Sequence, residues 1–117
     1  MISHRRGHIA FRILDLHKDQ LSDLEACLLG HKIKSKEYKG SGTFIVALDL
    51  SPDSNYDVLC DFLVRNSIPE GSYGLWIGLT TTNCIDEVEV PDYIRNFYKR
   101  TGGNIDFSFV FVSPEDE

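Results

Sequence analysis

The sequence predicts an α/β fold of the α+β kind, and three observations carry that expectation. Apolar residues alternate at period two in stretches around 8–15, 43–50, 73–80 and 105–112, as half-buried strands require. Three other stretches, near 19–30, 55–65 and 91–101, repeat apolar residues at three- and four-residue spacing, as helices with one buried face do. The two kinds interleave in the order β-α-β-β-α-β and then α-β.

Each element has a local reason. In 8–15, Ile9, Phe11 and Ile13 share one face. Asp19 is placed to cap a helix whose apolar positions are Leu21, Leu24, Cys27 and Leu28, with Gly30 closing it. Residues 31–39 alternate Lys32, Lys34 and Lys36 with Ile33 and Ser35, the pattern of an edge strand guarded by lysines. Gly40-Ser41-Gly42 is a hairpin-type loop into 43–50, where Phe44, Val46, Leu48 and Leu50 lie together. After Ser51-Pro52-Asp53-Ser54, a helix carries Tyr56, Leu59, Cys60 and Leu63 on one stripe, with Asp57, Asp61 and Arg65 roughly opposite. In 73–80, Tyr73, Leu75, Ile77 and Leu79 share a face, and Gly74, Trp76 and Gly78 the other. Glycines beside a tryptophan predict that a helix or a partner crosses there closely. Residues 80–87 read as a polar loop and 88–90 as a possible short strand.

The last thirty residues are the most legible. Pro91 suits the first helical position and Asp92 the positive end of the dipole. Ile94, Phe97, Tyr98 and Thr101 form the buried stripe, Lys99 and Arg100 occupy the last turn, and Gly102-Gly103 gives a left-handed stop. Ile105, Phe107, Phe109 and Phe111 then line one strand face, and so broad an aromatic surface predicts a central or near-central strand. Phe44, Val46, Leu48, Leu75, Ile77, Phe107, Phe109 and Phe111 are the expected core contributors. The first six elements match a split β-α-β arrangement, a ferredoxin-like sheet with helices on one face, extended by the C-terminal helix and strand.

With 117 residues, 42% hydrophobic and 26% charged, residues 1–117 are expected to form a single globular domain. No apolar run approaches a membrane span, and no apolar core follows the basic start Arg5-Arg6, so a cytosolic location is expected. Cys27, Cys60 and Cys84 show neither zinc-ribbon nor redox spacing; the first two read as small buried hydrophobes and Cys84 as a loop thiol.

Charge is unevenly placed. Residues 1–42 carry a net +3 and residues 43–117 a net −9, within a total of −6. Between Thr43 and Ile94 only Arg65 opposes nine carboxylates, which disfavours nucleic acid and favours a basic protein surface as the partner of that region. The basic stretch of Arg5, Arg6, Lys32, Lys34, Lys36 and Lys39 has only Tyr38 for base stacking, so direct nucleic-acid binding is not expected.

Catalytic patterns are weak throughout. His4, His8, His17 and His31 lack metal-ligand spacing. Gly40-Ser41-Gly42-Thr43 is too short for a phosphate loop and lacks its lysine. Asp57 and Asp61, one turn apart on an exposed face, have nothing to separate their pKa values. The expectation is a protein that is not an enzyme and uses no metal or cofactor.

From Val90-Pro91-Asp92-Tyr93-Ile94 through Thr101-Gly102-Gly103-Asn104 to Ile105-Asp106-Phe107-Ser108-Phe109, the chain resembles small bacterial immunity proteins of contact-dependent growth inhibition and related polymorphic toxin systems. That resemblance implies a non-enzymatic inhibitor that binds a cognate toxin domain and covers its working surface. A basic nuclease toxin fits the acidic region. Asp57, Asp61, Glu70, Asp86, Glu87 and Glu89 are the candidate steering carboxylates and Trp76 a candidate anchor. The alternatives are a small-ligand-binding or regulatory module with a pocket near Trp76, and an enzyme whose site is assembled from scattered residues.

Overall fold

A computed structural model describes residues 5–81 and 89–111, with side chains from residue 7 onward. The chain runs β1 (Arg5–His17), α1 (Lys18–Cys27), β2 (Ile33–Glu37), β3 (Thr43–Asp49), α2 (Tyr56–Arg65), a short 3-10 turn (Glu70–Ser72), β4 (Tyr73–Thr81), α3 (Asp92–Thr101) and β5 (Asn104–Phe111). The described residues form a mixed α/β fold with one open five-stranded sheet in the order β2-β3-β1-β4-β5 and three helices. β1 lies antiparallel to both β3 and β4, and β2 antiparallel to β3, whereas β5 runs parallel to β4.

The first strand is longer than its alternation predicts, and a bulge explains why. Ile13 pairs with Val46 and Leu16 with Phe44, so β1 carries one extra residue there. Asp15 takes the left-handed conformation, φ 57°, which an aspartate tolerates better than most side chains. The extra residue returns Leu16 to the face of Ile13, and both are fully buried.

One core joins one sheet face to all three helices. Phe11, Ile13, Leu16, Val46, Leu48, Tyr73 and Leu75 from the strands meet Leu21, Leu24, Leu59, Phe62, Leu63, Ile94 and Phe97 from the helices. Phe62, omitted from the expected stripe of its helix, is wholly buried. Phe97 packs edge-on to Phe11 with ring centroids 5.1 Å apart and lies 5.0 Å from Tyr56. Caps sit near the expected places. Asn55 accepts from Val58 N–H at 3.2 Å to start α2. α1 begins two residues earlier than an Asp19 cap implies, with His17 N–H donating to Gln20 Oε1 at 3.0 Å. Pro91 caps α3 from just outside it, and Gly102 and Gly103 end that helix at φ 66° and 98°.

The placement of β5 corrects the sequence reading. It is an edge strand, not a central one. Its register with β4 puts Ile105, Phe107, Phe109 and Phe111 on the helix side, opposite Leu75, Ile77, Leu79 and Thr81. Yet Phe107 is 58% exposed, Phe109 41% and Phe111 46%, so none is the core residue expected. The reason lies in α3, whose Phe97 reaches in over β1 rather than out over β5. The helix layer therefore runs out before the last strand. Phe44 is only half-buried at the margin of the core, while Val46, Leu48, Leu75 and Ile77 are buried as expected.

Candidate partner-binding surface

The carboxylates singled out in the sequence do not converge on one patch with Trp76. Asp57 and Asp61 project from the exposed side of α2, the middle of the helix layer, and Glu70 opens the 3-10 turn before β4. Glu89 lies ahead of α3, lining an open cleft of about 510 Å³ with His8, Asp49 and Tyr93. Trp76 stands on the other face of the sheet, the face without helices, because it alternates with the buried Leu75 and Ile77. Asp86, Glu87 and Cys84, together with most of the predicted 80–87 loop and Val88 of the possible short strand, lie outside the described residues. Glu89 and Val90 are not in a strand.

Three arginines, one of them distant in sequence, temper the acidic surface. Arg100, from the end of α3, reaches Asp57 at 2.9 Å, and Arg65 pairs with Asp61 one turn away. Arg95 does the same for Asp92 within the first turn of α3. Charge counted by sequence window misses the contribution of α3, which folds back beside α2. Asp53 and Glu70 are exposed and have no ion pair among the described residues.

Arg65 also belongs to a polar cluster that sequence reading missed. Asp23 on α1 accepts from Arg65 Nη2 at 2.8 Å and from Asn66 Nδ2 at 3.0 Å. Arg65 Nη2 lies 3.1 Å from Cys27 Sγ, whose thiol points to Asp23 Oδ1 at 3.5 Å. The bonds from Asn66 and then Arg65 hold the Asp23 carboxyl below its ordinary range. Cys27 is thus half-buried in a polar tie between α1 and α2 rather than a plain core hydrophobe. The only sequence signal was an aspartate about one turn before the end of a helix, which ordinarily means a solvated face. Cys60 is likewise half-buried, and burial pushes its thiol upward.

On the helix-free face the two glycines flanking Trp76 have local explanations. A Cβ on Gly78 would come within 2.5 Å of the Trp76 ring, so the indole folds over its own neighbour in the strand. A Cβ on Gly74 would meet the Asn104 carbonyl oxygen at 2.0 Å, so that glycine admits β5. Among the described residues no helix crosses here. The Arg12 guanidinium sits 5.1 Å from the indole centroid, and His8 is tilted against it at 5.8 Å while its Nε2 lies 3.0 Å from Asp49 Oδ1. Lys34 and Lys36 share this face, since they pair with Ala47 and Ile45, the alternates of buried Val46 and Leu48.

The most apolar exposed region lies at the opposite edge from β2. Beside the β5 stripe, a groove of about 420 Å³ between α3 and the sheet is lined by Leu75, Ile77, Val90, Tyr98 and Ile105, with Arg95 and Lys99 on its rim. Among the described residues no group of three or more His, Cys, Asp and Glu is arranged to hold a metal ion, and no helix is long and apolar enough to cross a membrane. Comparison with protein-family models, curated proteins and solved structures found no match to this chain.

Proposed function

We propose that this chain is a binding protein of the immunity type, which neutralises a basic toxin domain, of the kind a nuclease presents, without catalysing a reaction. The observation that carries the reading is the outward display of Asp53, Asp57, Asp61 and Glu70 on and around α2, while Arg12, Lys34 and Lys36 belong to the opposite face of the sheet. Arg100 and Arg65 hold Asp57 and Asp61 in defined positions, so the carboxylates form an ordered rim. Such a rim steers a basic partner by long-range attraction and fixes its approach. The proposal extends to architecture: β1 to β4 with α1 and α2 make a ferredoxin-like split β-α-β unit, and α3 with β5 extend it. Support comes from the order β2-β3-β1-β4 with every neighbour antiparallel.

The test is co-purification of the full chain with the product of its neighbouring gene, which this reading requires to be a toxin domain, followed by inhibition of that domain's activity. A stable complex that forms at low salt and weakens as salt rises is the expected result. Absence of a complex, or an acidic partner, refutes the reading. A second reading, a small-ligand or regulatory module, draws on the stack of Arg12 over Trp76. It predicts that a small anion alters Trp76 fluorescence in the wild-type chain and not in Arg12→Ala.

A further inference from the structure

We propose that the chain forms a twofold dimer by pairing β5 antiparallel with β5 of a second copy, joining two five-stranded sheets into one. This goes beyond the immunity reading and does not depend on it, because Asp57 and Asp61 belong to α2 and not to the β5 edge. The contrast between the two sheet edges motivates it. β2 carries Lys34 and Lys36, charges that discourage pairing with another chain. β5 has no lysine, arginine or proline, only Asp106 is charged, and among the described residues no strand pairs with its outer edge, which lies beside an apolar stripe.

The strand is also complementary to itself. Opposite residues in an antiparallel pair share a face, so a twofold axis through Ser108 sets Phe107 against Phe109 of the second copy and Ile105 against Phe111. All four stripe residues then face apolar partners. An axis through Phe107 instead leaves Phe111 opposite Gly103, which has no side chain to offer. In the favoured register Phe111 of the second copy comes beside Ile105, at the mouth of the groove formed with Leu75, Ile77, Val90 and Tyr98.

The area suffices. Ile105, Phe107, Phe109, Val110 and Phe111 are 41–58% exposed. At roughly 200 Å² for a large side chain, they leave on the order of 500 Å² of apolar surface per chain. Two copies hold on the order of 1,000 Å² before the backbone edges are added, the size at which specific interfaces begin.

Sedimentation equilibrium on the full chain, from low to high micromolar concentration, tests the proposal. The expected mass at high concentration is twice the 13.3 kDa of one chain. Phe107→Lys and Phe109→Lys, which give β5 the guard that β2 has, should each weaken the dimer by about 100-fold, since a symmetric contact feels each change twice. Their circular dichroism should match that of the wild type. Hydrogen exchange on the unaltered chain gives a second readout: β5 amides should gain protection as concentration rises. A chain that stays monomeric overturns the proposal. So does a dimer that survives both substitutions, or one that forms with no concentration-dependent protection of β5.

Discussion

Two phenylalanines that look equivalent in the sequence should behave very differently when truncated. Phe97 is 2% exposed and wedged between Phe11 and Tyr56, so Phe97→Ala removes a whole aromatic ring from the junction of α3 with the sheet. Such a change costs about 3–5 kcal/mol, including the lost ring contacts and the cavity left behind. Against the roughly 5–15 kcal/mol that holds a small domain folded, that is a large fraction. At roughly 4 °C per kcal/mol, the melting temperature should fall by about 12–20 °C. Phe107 is 58% exposed, so its truncation forfeits less than half of a phenylalanine's burial, about 1 kcal/mol. Urea titrations followed by far-ultraviolet circular dichroism, at protein concentrations low enough to keep the chain monomeric, compare the two directly. Equal losses would show that the monomer buries Phe107 and that the exposed stripe is misassigned.

Other consequences can be checked on the isolated protein. Asp57→Asn with Asp61→Asn removes the exposed pairs with Arg100 and Arg65, so urea stability should change by no more than about 1 kcal/mol. A larger loss would mean that the α2 surface is structural. Because Asp23 is held below its ordinary pKa in the folded chain, its stabilising contribution is complete above the unfolded value near 3.9 and is lost as pH falls through the lower folded value. Acid titration of urea stability should therefore show a shallower decline below pH of about 4 in Asp23→Asn than in wild type. Gly74→Ala forces a Cβ into the Asn104 backbone and should cost at least about 1–3 kcal/mol, more than Gly78→Ala, where a tryptophan side chain is the obstacle. Equal urea midpoints for the two would contradict that packing.

Local signals carried most of the fold, and they failed where the outcome depended on what lies beyond a strand. Gly102-Gly103 ended α3 because an isolated stop of that kind has one physical meaning. The lysines of β2 marked an edge because a charged strand has few other uses in a sheet. The phenylalanines of β5 suggested a centre because burial is the ordinary fate of such a face, but alternation reports only which residues share a face. Whether a helix covers that face depends on where α3 lies, and Phe97 drew it toward β1. The α2 surface posed the same difficulty. Asp57 and Asp61 were visible as an exposed pair, whereas Arg100, the partner of Asp57, and the cluster of Asp23, Cys27, Arg65 and Asn66 arise from contacts between helices far apart in the chain. At Trp76 the glycines were a real sign of close approach, but the approaching groups are the indole itself and the backbone of β5.

The measurement that bears most directly on the proposed role is the association rate with the basic toxin domain that the role requires, as a function of ionic strength. Screening acts over roughly 8–10 Å at physiological salt, so a rate raised by exposed carboxylates should fall steeply as salt is added. The wild-type chain should show that slope, and the Asp57→Asn, Asp61→Asn, Glu70→Gln variant should bind more slowly with a flatter one. A rate and salt response unchanged by the triple substitution would place the interface elsewhere and contradict the electrostatic account.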